Sequence, residues 1–227
     1  MMARRRRKSP LRWLLPLGAA AIIAVGLWTN RQRVEDMFHA RSSGAAPAHN
    51  ATEAGTDGKR VHVSGKLEAS GPARDAELGV SANAAVLIRK VEMFQWHEHC
   101  NGADCSYATA WSQQPIDARR FRHPEGHDNP PPRLRDAIFS GPGLRVGTLA
   151  VSADLVAAQA AANDFKVHAA DLPANLAASF GDADGALYAG GDATHPQVGE
   201  VRVSYRIVPA GNVDLDGVQR GGGLTLP

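Results

Sequence analysis

Two cysteines and four histidines are the residues of this 227-residue chain whose types and spacing come nearest to chemistry. His97, His99, Cys100 and Cys105 read H-x-H-C-x4-C, a set of donors that zinc accepts. In a regular strand, however, His97 and His99 leave on the face opposite the cysteines, so one ion does not collect all four. A disulfide and a pair of free thiols are the other two readings of Cys100 and Cys105, and the strand geometry set out below favours the disulfide. His123 and His127 have the i, i+4 spacing of helical metal ligands, but Pro124 and Pro130 deny them the helix. An extracytoplasmic hydrolase or metal-dependent enzyme built on these four histidines is therefore the alternative reading, not the leading one.

Other catalytic signatures fail at specific positions. Gly79-Val80-Ser81-Ala82-Asn83 lacks the last glycine of a nucleophile elbow. Gly141-Pro142-Gly143-Leu144-Arg145-Val146-Gly147 places its third glycine one position late for a dinucleotide loop, and a strand pattern follows it. Asp182, Asp184 and Asp192 lie among glycines without the spacing or terminal Glu of a calcium loop, so turn chemistry explains them better. No catalytic residue, metal ligand or cofactor is assigned.

The elements that would position these residues begin with a membrane signal. Residues 1–12 hold six basic side chains and no acidic one, leaving 19 basic against 23 acidic in the rest, a net −4. A mildly acidic body does not suit nucleic acid. The basic tip is followed by an uncharged apolar run, Trp13 to Trp28, whose 16 residues span roughly 24 Å as a helix. Tryptophans mark both ends, as at membrane interfaces. A cleaved signal peptide is the competing reading, but no small-x-small site follows closely: Leu27-Trp28-Thr29-Asn30-Arg31 is bulky and then polar. The expected organisation is a cytoplasmic tip (1–11), a transmembrane helix (12–29), a flexible stalk (30–59), an extracytoplasmic domain (60–220) and a flexible tail (221–227). The positive-inside rule keeps the tip in the cytoplasm and sends the domain across.

Strand patterns dominate the domain: Arg60–Ala69, Ala85–His99, Ser106–Ser112, Leu144–Val151 and Glu200–Val208. Ser152–Asn163 reads as a helix capped by Ser152, and Asp171–Ser179 as a second, shorter one. The class is α+β, with a mainly antiparallel sheet and a few short helices. Asn101-Gly102 lies between two strand patterns and marks a hairpin. If residues 101–104 form its loop, Cys100 faces Cys105, Glu98 faces Tyr107, Trp96 faces Thr109 and Phe94 faces Trp111. That register gathers Phe94, Trp96, Tyr107 and Trp111 on one face, expected to turn towards the core, with the cysteines at its turn end.

These residues also carry a resemblance. Val91–Trp96 (VEMFQW) with Glu98, Tyr107 and Trp111 comes first, then Ile116-Asp117, Phe121 and Gly126-His127-Asp128-Asn129-Pro130. Ala186-Leu187-Tyr188 and the run from Pro196 to Tyr205 (PQVGEVRVSY) follow in order. Together they resemble the transmembrane protein 43 family over roughly residues 60–220. The resemblance implies a membrane protein whose large domain lies in the lumen or, for a bacterial member, the periplasm. It implies Glu92, Phe94, Gln95, Trp96, Tyr107, Trp111, Asn129, Pro130, Gly199 and Arg202 as structural motif residues. It brings no catalytic set and no cofactor. Eukaryotic relatives are associated with the endoplasmic reticulum and inner nuclear membrane as organisers of membrane protein complexes. The Ala- and Arg-rich composition suggests a bacterium, and the resemblance then implies an inner-membrane member. The family normally ends with several membrane helices, which this sequence does not show, so the expectation is a shortened member or an incomplete reading frame. The expected partners are the lipid bilayer and other membrane proteins, including a second copy of the chain, and not nucleic acid.

Overall fold

The computed structural model describes residues 57–227; the basic tip, the expected membrane helix and residues 30–56 of the expected stalk lie outside them. Among the described residues no helix is long and apolar enough to cross a membrane. Their architecture is mainly β-sheet, built around one long strand, β4 (Val86–Asn101). Its first four residues are buried on both faces, Val91 to Trp96 alternate between buried and half-buried, and the last three are exposed, so the strand starts inside the molecule and ends at its surface.

β4 pairs antiparallel with β12 (Val201–Val208), setting Glu92 opposite Arg202 and Arg89 opposite Tyr205. Each outer edge of this ribbon carries two successive short partners. Along β4 these are β6 (Ala137–Ser140) and β5 (Asp104–Ser112). Along β12 they are β9 (Asn163–Phe165) and β11 (Ala186–Ala189), the latter extended by β10 (Gly181–Ala183). Beside this sheet stands a small closed barrel in the order β1 (Arg60–Glu68), β13 (Gly211–Arg220), β14 (Gly223–Thr225), β8 (Leu149–Val151) and β7 (Arg145–Val146). Every pairing is antiparallel except β14 with β8.

Two cores result. The first joins Leu67, Val146, Leu215 and Leu224 of the barrel to Val86 and Ile88 of β4. It is covered by α1 (Ala153–Gln159), which inserts Leu155 and Val156 and is capped by the Ser152 hydroxyl, which accepts from Leu155 N at 3.3 Å. The second holds Leu87, Val91 and Met93 on the opposite face of β4, together with Leu187, Val203 and Tyr205. A two-stranded hairpin, β2 (Ala73–Asp75) and β3 (Val80–Ala82), contributes Ala73, Val80 and Ala82 to this second core.

Three sequence expectations change. Leu144–Val151 is a hairpin of β7 and β8 rather than one strand, because Gly147 takes φ +60° and turns the chain. Residues 221–227 are not a flexible tail: Gly221 and Gly222, at φ +55° and +81°, make the two-residue turn that returns β14, and Leu224 is fully buried. Gly217 lets that strand approach, since a Cβ there would lie 2.7 Å from both Leu224 Cγ and the Thr225 carbonyl. Residues 57–59, expected at the end of the stalk, are tied to the domain: Gly58 N donates to Gln219 O and Gly221 N to Asp57 Oδ1. Gly-rich composition signals linkers and tight turns alike, and only the partner strand tells them apart.

One polar group sits inside the second core. Asp75 is 1% exposed and Arg89 4%. Arg89 Nη1 donates to Asp75 Oδ2 at 2.7 Å, Nη2 to Glu77 Oε2 at 2.7 Å and Nε to the Arg135 carbonyl at 3.0 Å. Asp75 also accepts from the Tyr205 hydroxyl at 2.7 Å and from the amides of Glu77 and Leu78. Asp75→Ala strands the Arg89 guanidinium beside a half-exposed Glu77 and should cost about 3 kcal/mol or more. Urea unfolding checks this: the midpoint should fall with an unchanged m-value, and a loss under about 1 kcal/mol would deny the pair that role.

Candidate interaction site on the aromatic sheet face

Alternation along β4 assigns its residues to two environments. Val91, Met93 and Gln95 are buried on one face, whereas Glu92, Phe94 and Trp96 are only half-buried on the other. The hairpin register is the one derived from sequence: Phe94 opposite Trp111, Glu98 opposite Tyr107 and Cys100 opposite Cys105. The pairing runs one step further, to Asn101 and Asp104, leaving Gly102 at φ +64° and Ala103 as a two-residue turn. Cys100 and Cys105 are joined by a disulfide. The aromatic face itself is corrected. It does not turn towards the core, which lies behind Val91 and Met93; Trp96 and Tyr107 pack against His127 and Phe121 of a surface segment, and Trp111 against Phe94, Tyr188 and Arg202. Both faces of β4 are apolar here, so aromatic content alone chose the wrong one.

The motif residues interlock across this face. β12 leaves β4 after Met93, and side chains and loops complete the abandoned edge. Phe94 N donates to Glu200 O at 2.9 Å and Gly199 N to Phe94 O at 2.8 Å. Beyond them the Asn129 amide takes the place of a strand: Oδ1 accepts from Trp96 N at 2.7 Å, and Nδ2 donates to Trp96 O at 3.0 Å. Pro130, next in the chain, lies against Gly199, whose φ of +97° favours glycine and whose missing Cβ would lie 2.8 Å from Pro130 Cγ. Gln95, fully buried, holds the opposite edge by donating to Gln114 O at 2.8 Å and accepting from Ile116 N at 3.0 Å.

Charged and aromatic groups alternate on top. Arg202 Nε donates to Glu92 Oε2 at 2.6 Å, and its guanidinium lies 4.8 Å from the Trp111 ring centre. Trp111 meets Phe94 edge-on at 5.3 Å and Tyr188 at 6.3 Å. Glu92, Trp111, Tyr188 and Arg202, with Asp184 and Ser204, line a pocket of about 220 Å³. The Tyr188 hydroxyl donates to Glu200, which also accepts from the amides of Gly191 and Gln197. Burial and that carboxylate push the Tyr188 hydroxyl up to about 12. At the turn end the Glu98 carboxylate accepts from Arg122 N at 2.6 Å and from the Tyr107 hydroxyl at 2.8 Å. The Arg122 amide, then Tyr107, hold its pKa below the ordinary 4.5 against partial desolvation. Arg122 Nη1 donates to the carbonyls of Gly102 and Ala103, clamping the turn.

The four histidines do not gather. His97 and His99 lie on the face opposite the disulfide. His127 stacks on Tyr107 at 4.0 Å and meets Trp96 edge-on at 4.8 Å, so its ring packs rather than projects. His123 gives its backbone amide to the Tyr107 hydroxyl. Among the described residues, the grouping close enough for a metal is Glu98 with Cys100 and Cys105, whose sulfurs are bonded to each other. The face offers stacking surfaces and paired charges rather than a nucleophile beside a base. Sequence reasoning missed Asp75 and Arg89, and it named Glu200 and Tyr205 only within the family-like run and its strand pattern, without their partners. The available signal was Arg89 itself, a charge that directly follows the apolar run Val86-Leu87-Ile88 in a strand buried on both faces, where it requires a partner.

The model of the family described as Transmembrane protein 43 matches residues 93–226, more than half of the chain. Transmembrane protein 43 of Mus musculus is 27% identical over 173 residues, covering 70% of this chain and 42% of that protein. The Homo sapiens protein is 25% identical with the same coverage. The Drosophila melanogaster homolog is 24% identical over 159 residues, covering 57% of this chain and 42% of its own length. The chain thus spans about two-fifths of the length of the curated relatives it matches. No solved structure matches it.

The depressed carboxylates fix a pH dependence. Glu98 and Glu200 both have folded-state values below the ordinary 4.5; for Glu200, burial raises the value but Tyr188 and two amides outweigh it. The stability they contribute is fully present above that value and is lost as pH falls through the lower, folded-state values. Wild type should therefore melt above Glu98→Gln and Glu200→Gln at pH 7, with the difference shrinking towards pH 3. A difference constant across that range would show that neither carboxylate is held as described.

Proposed function

The chain belongs to the transmembrane protein 43 family, and from that membership we propose a membrane-anchored, non-enzymatic scaffold that organises membrane-associated complexes. The observation that carries the reading is the construction of the aromatic face. Its family-motif residues serve one another: Asn129 completes the edge at Trp96, Pro130 fits Gly199, and Arg202 bridges Glu92 and Trp111. Their polar atoms are spent on structure, leaving a half-exposed surface of aromatic rings and paired charges, the composition of partner-binding patches.

The topology in this proposal comes from the basic tip and the apolar run. Residues 12–29 anchor the chain in a bacterial inner membrane, residues 1–11 stay in the cytoplasm, and the domain lies in the periplasm. In a eukaryotic cell the corresponding sites are the endoplasmic reticulum and inner nuclear membrane. The bonded Cys100 and Cys105 suit an oxidising compartment. Alkaline phosphatase fused after residue 60 should be active and the full chain should resist carbonate extraction. A soluble periplasmic protein with a new N-terminus near residue 48 would overturn the anchor.

The scaffold itself is tested on native gels of gently solubilised membranes. The wild-type chain should migrate in an assembly larger than itself. Arg202→Ala, which removes a half-buried cation and its bridge between Glu92 and Trp111 but keeps the apolar face of β12, should stay folded and weaken that assembly. His97→Asn with His99→Asn should leave it unchanged. A wild-type chain migrating alone would count against the scaffold.

A further inference from the structure

We propose that β5 is a self-association strand, pairing antiparallel along its free edge with β5 of a second copy of the chain. Backbone geometry shows which groups are available. Phe94 bonds through both its N–H and its C=O towards the β12 side, to Glu200 and Gly199, so the even residues of β4 face that side and the odd residues face β5. The register Met93 to Ser112, Gln95 to Ala110 and His97 to Ala108 then engages the even residues of β5. The N–H and C=O groups of Cys105, Tyr107, Thr109 and Trp111 point outward. No strand lies beyond β5, and none of these groups has a hydrogen-bond partner among the described residues.

Such an edge is unusual in a protein that works alone. Monomers blunt their edges with lysine, proline, bulges or short strands. From Cys105 to Ser112, β5 has no charge, no proline and no glycine, and it pairs with β4 from Asp104 to Ser112 without a bulge. The other edges are short or absent: the barrel is closed and β10 has three residues.

A second copy is the occupant because the strand complements itself. With Thr109 opposite Thr109, Tyr107 of each copy faces Trp111 of the other on the aromatic side of the sheet. On the reverse side Ala108 faces Ala110, and both are exposed in the single chain. Aromatic rings meet aromatic rings, small side chains meet small ones, and no like charges are opposed. The contact is two-fold and closes after two copies. It adds a partner to the scaffold reading without resting on it, since it follows from the free edge of β5 and the side chains that the edge presents.

Paired charge variants test both the edge and its register. The full chain in detergent micelles should be a dimer by analytical ultracentrifugation. Ala108→Lys with Ala110→Lys opposes lysines at two places and should raise the dissociation constant at least about tenfold. Ala108→Lys with Ala110→Glu opposes lysine to glutamate in this register and should dimerise about as well as wild type. Both replace exposed alanines, and an unchanged melting temperature and circular dichroism spectrum confirm the fold. A wild-type chain that stays monomeric throughout the micromolar range overturns the proposal. So does a double-lysine dimer as tight as wild type, or a lysine–glutamate variant as weak as the double-lysine one. Because membrane anchoring is read by the fusion and extraction tests, failure here leaves that reading standing.

Discussion

Asp75 is a carboxylate with no exposure to water, and the second core is arranged to make that tolerable. Removing a carboxylate from water costs several kcal/mol unless its oxygens are fully occupied. Here one oxygen receives the Arg89 guanidinium and the Tyr205 hydroxyl, and the other receives two amides of its own turn. Each partner belongs to a different element: β4, β12 and the turn between β2 and β3. The network therefore dictates where the small hairpin lies on the sheet, which apolar packing by itself specifies loosely. Arg89 extends the constraint by donating to the Arg135 carbonyl, just ahead of β6. Burial of the ring and the adjacent Asp75 push the Tyr205 hydroxyl well above its ordinary value, so it remains a donor at any physiological pH.

A second constraint is the length of β4. A sixteen-residue strand outruns every partner available to it, and each stretch it leaves unpaired needs hydrogen bonds from elsewhere. Between β6 and β5 the Val91 amide is answered by the Asp136 carboxylate at 2.7 Å. Past the start of β12, Glu200 and Gly199 answer Phe94, and Asn129 answers Trp96. The most specific motif residues thus cluster where the ladder fails, and their identities follow from the task. A primary amide carries its acceptor and its donor on separate atoms of one plane, as a peptide group does, so the Asn129 side chain can meet both backbone groups of Trp96. Only glycine fits position 199 beside Pro130. The Asn-Pro pair that reads as loop punctuation is the closing piece of a sheet edge.

This explains what sequence reading could and could not reach. Strong local patterns were legible: β1, β4, β5, β12 and the Ser152-capped helix all follow from alternation, a cap and a turn signal. The cysteine hairpin came out in the correct register because register there depends on the turn alone. Missed elements were short or glycine-rich. β13 reads Gly-Asn-Val-Asp-Leu-Asp-Gly, polar enough to pass for loop, yet its alternate residues reach the barrel core only because β1 and β14 flank it. The face of the aromatic patch was misassigned because both sides of β4 are covered, and sequence does not say by what. Asp75 and Arg89 are fourteen residues apart, and nothing local connects them.

The tip of the β4–β5 hairpin shows how covalent and non-covalent terms divide along one element. From Phe94 to Trp96 the ribbon is held by packing and by Asn129. Beyond Glu98 the side chains of His99, Cys100, Asn101 and Asp104 are exposed and burial contributes almost nothing. A two-stranded ribbon with so little cover is marginal in water. Two interactions compensate: Arg122 clamps the turn carbonyls, and the Cys100–Cys105 bond closes a short loop, worth roughly 2 kcal/mol in the chain-entropy account. Glu98 links them to the rest, since it receives the Arg122 amide while holding Tyr107 against His127. Reduction would therefore fray the tip and loosen the outer turn of β5 before reaching the core. That order is a physical reason for a strand with a free working edge to suit the oxidising side of a membrane, where its last turn stays locked to β4.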